Sequence, residues 1–201
     1  MDFLNVIVDY GMGNLRSVEK ALETVGASVL VSSDPDDVRR AGRIILPGVG
    51  AFGDAMRHLE KRGLAGVIKE EVAAGKPFLG ICLGLDLLFE ESDEHGLHRG
   101  LGLLPGRVAL LNTKLKIPHI GWNRIAIHKD SRLLAGVPNG SYFYFVHSYV
   151  VAPREDSDIL CKTEYGCEFV SAVERDNITA LQFHPEKSSS LGLRILRNFV
   201  T

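Results

Sequence analysis

The chain has 201 residues, of which 45% are hydrophobic, enough for one domain with a sizeable core spanning residues 1–201. Its formal net charge of −2 leaves no electrostatic footprint for nucleic acid or an acidic membrane. Three cysteines, an odd number, do not suggest a disulfide framework and favour a reducing cytoplasm, and the apolar run near the start is too short to span a bilayer.

Alternating elements follow in chain order. Residues 5–9 read as a strand, 15–25 as a helix, 28–31 as a strand and 35–40 as a short helix with proline in its first turn. A strand over 43–46 precedes two helices across 54–62 and 64–74. Residues 77–81 form a short apolar run of buried-strand type, and 85–91 read as a helix whose apolar face includes Leu87, Leu88 and Phe89. After Gly100 the pattern changes to short strands with polar turns between them, at 107–111, 122–127, 142–145, 159–163, 169–174 and 178–182. A helix over 191–200 closes the chain. The first half thus predicts a mostly parallel open α/β sheet flanked by helices, and the second half an antiparallel β extension.

Between the strand at 77–81 and the helix after it lies Gly80-Ile81-Cys82-Leu83-Gly84. This is the form of a G-x-S-x-G nucleophile elbow with sulfur in place of oxygen. The glycines relieve crowding in a tight strand-to-helix reversal, and a helix N-terminus is expected to lower the thiol pKa. About a hundred residues later comes Phe183-His184-Pro185-Glu186. If the strand at 178–182 continues, alternation puts His184 and Glu186 on one face, the carboxylate behind the imidazole. Cys82, His184 and Glu186 would then be nucleophile, base and orienting carboxylate.

Gly48-Val49-Gly50-Ala51-Phe52-Gly53 is a literal G-x-G-x-x-G and admits a dinucleotide-binding alternative. Against it, the motif follows the third strand, not the first, and the acidic Glu70 and Glu71 fall in helical sequence. His95 and His98 have metal-ligand spacing but no nearby cysteine, so a solvated loop is expected there. Cys161 and Cys167 are expected to pack as small hydrophobes, His58 and His128 to be exposed, and Ser188-Ser189-Ser190 to cap the last helix.

Taken together the segments are identifiable. Asp9-Tyr10-Gly11-Met12-Gly13-Asn14, Pro47-Gly48-Val49-Gly50, the elbow, His119-Ile120-Gly121-Trp122-Asn123, His147-Ser148-Tyr149 and His184-Pro185-Glu186-Lys187-Ser188 resemble the class I, triad-type glutamine amidotransferases. Within them they are most similar to glutaminase subunits of imidazole glycerol phosphate synthases. The resemblance runs through nearly the whole chain. It implies hydrolysis of L-glutamine with no cofactor and no metal, an oxyanion hole from the backbone of Val49, Gly50 and Leu83, and a head-group site from Gly50, Asp86, Glu94, Ser148 and Tyr149. It further implies docking on a (β/α)₈ cyclase subunit through Asn14, Trp122, Tyr144 and Lys187. For Trp122 a core position is an open alternative.

One position departs from the family. Asp86 stands where glutamine is usual. An ionised carboxylate there accepts hydrogen bonds but donates none. Asp86 is therefore either a substrate contact of altered chemistry or a solvated helix charge. Two other functional readings remain beside the cyclase-linked glutaminase: a paralogue feeding ammonia to a sugar-amination enzyme, and a non-catalytic regulatory homologue.

Overall fold

A computed structural model describes residues 4–201. The strands are β1 Asn5–Val8, β2 Val29–Ser32, β3 Arg43–Gly48, β4 Phe78–Cys82, β5 Phe89–Ser92, β6 His98–Arg99, β7 Leu104–Leu110, β8 His119–Arg124, β9 Ala126–Ile127, β10 Tyr142–His147, β11 Tyr149–Pro153, β12 Ile159–Glu164, β13 Glu168–Arg175 and β14 Ile178–Leu181. The helices are α1 Leu15–Thr24, α2 Pro35–Arg40, α3 Phe52–Lys61, α4 Leu64–Ala73, α5 Leu83–Asp86 and α6 Ser189–Val200.

Among the described residues, twelve strands share one sheet, ordered β2-β1-β3-β4-β14-β13-β11-β7-β5-β6, with β12 paired to β13 and β9 to β12. The first five in that order run parallel. From β14 onward the pairing is antiparallel, apart from the parallel β5–β7 pair. β8 and β10 form a separate antiparallel pair. The expected mostly parallel open sheet with an antiparallel extension is therefore found, and solved structures of the same fold are described below.

Period-two alternation divides the central strands between two faces. Val6, Val8, Ile44, Leu46 and Phe78 pack with Val38, Leu59 and Ile68 of α2, α3 and α4. Ile7, Ile45, Leu79 and Ile81 pack on the other face with Leu22 of α1 and Ile195 of α6. Because both faces are covered, the strands read as continuous apolar runs. α2 begins as its sequence dictates: the Asp34 carboxylate accepts the Asp36 N–H at 2.8 Å and Pro35 occupies the first turn.

Three local expectations are corrected. The helix expected over 85–91 stops at Asp86, and Phe89–Ser92 is a strand pairing with β7 and β6. Leu85, Leu87, Leu88 and Phe89 are all fully buried, so the run has no polar side to reveal its period. β11, which carries no alternation to signal it, was not expected and is inserted between β7 and β13. The strand β14 ends at Leu181, and Pro185–Lys187 is a single 3₁₀ turn, so strand alternation does not place Glu186.

Candidate active site

β4 runs directly into α5, and Cys82 is the junction. Its φ of 55° with ψ of −113° lies where side chains other than glycine rarely sit. Strain of that kind, on the order of 1–3 kcal/mol, persists only where the surroundings enforce it. Here Gly48 of β3 pairs with Cys82 on one side, and β14 runs parallel to β4 on the other. The strained backbone presents the thiol to a cavity of about 230 Å³ beyond the carboxyl ends of the parallel strands.

That cavity brings together most of the expected residues. Cys82, Leu83, Val49, Gly50, Asp86, Glu94, Ser148 and Tyr149 all line it. It also takes in Val146, Val108 and Pro118, which carry no sequence signal of a site, and His147. The loop Val49–Ala51 passes beside the elbow with Gly50 at φ +103°. Each glycine of the G-x-G-x-x-G is explained by the protein's own atoms. A Cβ would strike the Tyr10 hydroxyl and Leu83 at Gly48, the Met12 Cε at Gly50 (2.6 Å) and the His98 ring at Gly53 (2.7 Å). Tight internal packing, with Glu70 and Glu71 inside α4, leaves the dinucleotide reading without support. It also corrects His98, whose ring packs on α3 instead of lying in a solvated loop.

His184 and Glu186 approach from β14. Leu181 is paired with Ile81, so the segment after β14 emerges at the same end of the sheet as Cys82. The His184 N–H donates to Tyr144 O at 2.9 Å. The 3₁₀ turn folds Glu186 back so that its carboxylate accepts the His184 Nδ1–H at 2.7 Å, with both side chains at least 96% buried. This fixes the tautomer, leaving Nε2 as the free nitrogen. Nε2 is buried and has no hydrogen-bond partner, while the Cys82 Sγ lies 3.7 Å from Val146 O. The thiol thus faces a backbone carbonyl, and no hydrogen bond joins it to the imidazole in this conformation. Such bonds commonly tighten only when substrate binds.

Electrostatics correct the expected thiolate. Burial, then Asp86, pushes the Cys82 thiol well above its ordinary pKa; the Leu83 N–H donating to sulfur pulls down without reversing this. With only four residues, α5 supplies little dipole against that desolvation. Asp86 is not a solvated helix charge: it is buried, its Oδ1 has no partner, and burial followed by repulsion from Glu94 raises its pKa well above the usual carboxylate range. Glu94 is held by the Phe52 N–H at 2.6 Å, and so also caps α3, whose own N-cap Ala51 has no side chain to do it.

A chain of histidines steadies the far wall. His147 Nδ1 lies 2.9 Å from Tyr149 O, an acceptor, so this nitrogen carries the proton. Burial lowers the His147 pKa to about 4, so its Nε2 is an acceptor and the His119 Nδ1–H donates to it at 2.9 Å. Asn123 then donates to His119 Nε2 at 3.3 Å. Both histidines are buried, His119 stacking between Tyr165 and Phe145.

Two smaller expectations change. Ser188 occupies the N-cap of α6 without capping it. Its hydroxyl donates to His184 O at 2.6 Å and accepts the Tyr144 N–H at 3.0 Å, which ties the histidine to β10. His58 is only half-exposed and contacts Tyr10 O at 3.0 Å, whereas His128 is exposed as expected. Among the described residues no group of His, Cys, Asp and Glu is arranged to hold a metal ion, and none of the cysteines is disulfide-bonded.

The residues expected at a docking face lie outside the cavity. Trp122 is 52% exposed, which removes the core alternative, and it meets Tyr144 edge-on at 6.3 Å. The Lys187 ammonium lies 5.8 Å from the Tyr144 ring. Asn14 is exposed just before α1, which packs against the 185–187 turn, and its side chain makes no capping bond. Ile120 and Tyr142 extend the exposed apolar surface of the β8–β10 pair.

Residues 6–201 match the family model described as Glutamine amidotransferase class-I. The chain is 58% identical to the imidazole glycerol phosphate synthase subunit HisH of Aquifex aeolicus (strain VF5), over 96% of this chain and 94% of that protein. It is 51% identical to the protein of the same name from Moorella thermoacetica, over 96% of this chain and 92% of that protein. Among solved structures, PurLQS from Thermotoga maritima superposes with a TM-score of 0.77 at 21% identity, covering 99% of this chain and 98% of that one.

Proposed function

Because the chain belongs to the class-I glutamine amidotransferase family, we propose that it is the glutaminase subunit of an imidazole glycerol phosphate synthase, releasing ammonia from L-glutamine for a cyclase subunit in histidine biosynthesis. One observation carries the reading. The strained Cys82, the Val49–Gly50 loop and the carboxyl groups of Asp86 and Glu94 line one cavity, and the chain also holds a buried His184–Glu186 pair with a free Nε2.

The chemistry follows from that placement. Substrate closes the gap between Cys82 Sγ and His184 Nε2, and the imidazole takes the thiol proton as sulfur attacks the side-chain amide carbon. Proton transfer coupled to attack is required, because burial disfavours a standing thiolate. The tetrahedral oxyanion is held by the Leu83 N–H and the peptides at Val49 and Gly50; one such donor is worth about 3–4 kcal/mol. The C–N bond breaks, and His184 passes its proton to the departing ammonia. Water, deprotonated by the same nitrogen, then splits the thioester, giving glutamate and the restored thiol. Glu186 stabilises the imidazolium at each stage.

Ammonia is useful only if it reaches an acceptor before bulk water protonates it. The exposed face of Trp122, Tyr144, Lys187 and Asn14, enlarged by Ile120 and Tyr142, suits a (β/α)₈ cyclase that receives it. Names of relatives at 51–58% identity favour this acceptor over sugar amination. A single domain over 1–201 is supported by two cores flanking one continuous sheet. Free cysteines suit a cytoplasmic setting, and among the described residues no helix is long and apolar enough to cross a membrane. The test is glutamate release with and without a cyclase subunit. Release stimulated by the cyclase and abolished in Cys82→Ala is expected; substantial residual release from the pure variant would sink the assignment.

A further inference from the structure

The cavity poses a problem of charge. Among the described residues, no lysine or arginine lines it, whereas two carboxyl groups do, Asp86 and Glu94. The Asp86 side chain is buried, with Oδ1 sealed from solvent and without a hydrogen-bond partner. Glu94 is held by the Phe52 N–H at a helix start, a position that favours a negative charge. An amino-acid head group brings one ammonium and one carboxylate. Against two ionised carboxyls its own carboxylate would meet repulsion with no fixed cation to offset it. Against one ionised and one neutral carboxyl the charges match.

We infer that Asp86 acts as a neutral carboxylic acid whose O–H donates to the α-carboxylate of bound glutamine, while the Glu94 carboxylate takes the ammonium. Asp86 thereby supplies a donor that an ionised carboxylate lacks, and substrate binding depends on its proton. The inference rests on the glutaminase reading above. The titratable groups around it leave the neutral form favoured. Cys82 begins its own helix, held as a thiol; Glu94 follows β5; His147, uncharged above about pH 4, ends β10; Tyr149 opens β11. Glu186, which holds His184, and Lys187 also act on the sulfur, the carboxylate raising and the ammonium lowering its pKa. Burial and Glu94 both raise the pKa of Asp86, in agreement with the charge count.

The experiment compares the glutamine KM of wild type and Asp86→Asn, each assembled with the cyclase subunit, across roughly pH 6 to 9. Wild type is expected to show KM rising about tenfold per pH unit once Asp86 ionises. Asp86→Asn, which keeps a donor at every pH, is expected to lose that rise. Parallel profiles, or a KM raised about a hundredfold at every pH by the asparagine, would overturn the inference, the latter because it shows that an ionised partner is needed. A second measurement counts protons by calorimetry, titrating glutamine into Cys82→Ala in buffers of different ionisation enthalpy. Uptake approaching one proton at alkaline pH, lost in Cys82→Ala/Asp86→Asn, supports the inference; equal uptake in both overturns it. Wild type that turns glutamine over with equal profiles defeats only the role of Asp86. Wild type that neither binds nor hydrolyses glutamine defeats the glutaminase reading as well.

Discussion

Replacing Gly80 by alanine would place a methyl carbon 2.7 Å from the Gly84 carbonyl oxygen, 2.9 Å from its carbonyl carbon and 3.0 Å from Ala180 Cβ. An ordinary C···O contact is about 3.3 Å or more, so the oxygen must retreat by roughly 0.6 Å, and the opposing Ala180 leaves no room for the strand to yield instead. Gly84 lies in α5 and Ala180 is fully buried in β14, so the added methyl wedges the nucleophile helix away from the sheet. Overpacking of this kind costs about 1–3 kcal/mol; taking ~2 kcal/mol gives a fall of about 4–8 °C in Tm for a chain of this size. The helix start carries the Leu83 N–H. If about 1 Å of misplacement costs about 100-fold, a displacement of roughly 0.6 Å should lower kcat by about tenfold. Urea unfolding and glutamate release by the assembled complex measure the two effects. Gly66→Ala is the control, since its Cβ would meet nothing within 4 Å and lies inside α4; it should stabilise by about 0.5–1 kcal/mol. Gly80→Ala with stability within about 0.5 kcal/mol of wild type and unchanged kcat would refute the packing account of the elbow.

Three further outcomes are expected. Cys82→Gly should be more stable than Cys82→Ala by about 1 kcal/mol in urea unfolding, since glycine relieves the strain at φ 55° that alanine keeps; equal stabilities would show no stored strain. The folded-state pKa of Asp86 is raised, so the stability present below the unfolded value of about 3.9 is lost as pH climbs towards the folded one, at up to ~1.4 kcal/mol per unit. Asp86→Asn should therefore gain on wild type as pH rises from about 4, and a difference independent of pH would contradict this. Trp122→Ala should leave the isolated subunit within about 0.5 kcal/mol of wild type while weakening cyclase binding by about 2 kcal/mol, roughly 30-fold, measured by titration calorimetry.

Much of this was legible along the chain. The parallel half follows from apolar runs separated by amphipathic helices, and α2 could be placed to the residue because Asp34 and Pro35 signal its start chemically. The elbow was legible because glycines bracketing a cysteine between a strand and a helix have few other uses. Less legible was anything governed by complete burial: once Leu85 to Phe89 were all enclosed, helix and strand left the same pattern of residues. The His184–Glu186 contact was anticipated, but for the wrong reason, since a 3₁₀ turn and not strand alternation makes it.

Residue types and their order were enough to name a nucleophile, its partners and the kind of fold that would bring them together, because local propensity and hydrophobic period act over a few neighbours. Protonation was decided elsewhere. Whether Cys82 stands as thiol or thiolate, and whether Asp86 is charged, depends on how much water and which opposing groups lie within a few ångströms. Those surroundings come from β3, β5, β10, β11 and β14, segments up to about a hundred residues away in sequence, so only the assembled fold sets them.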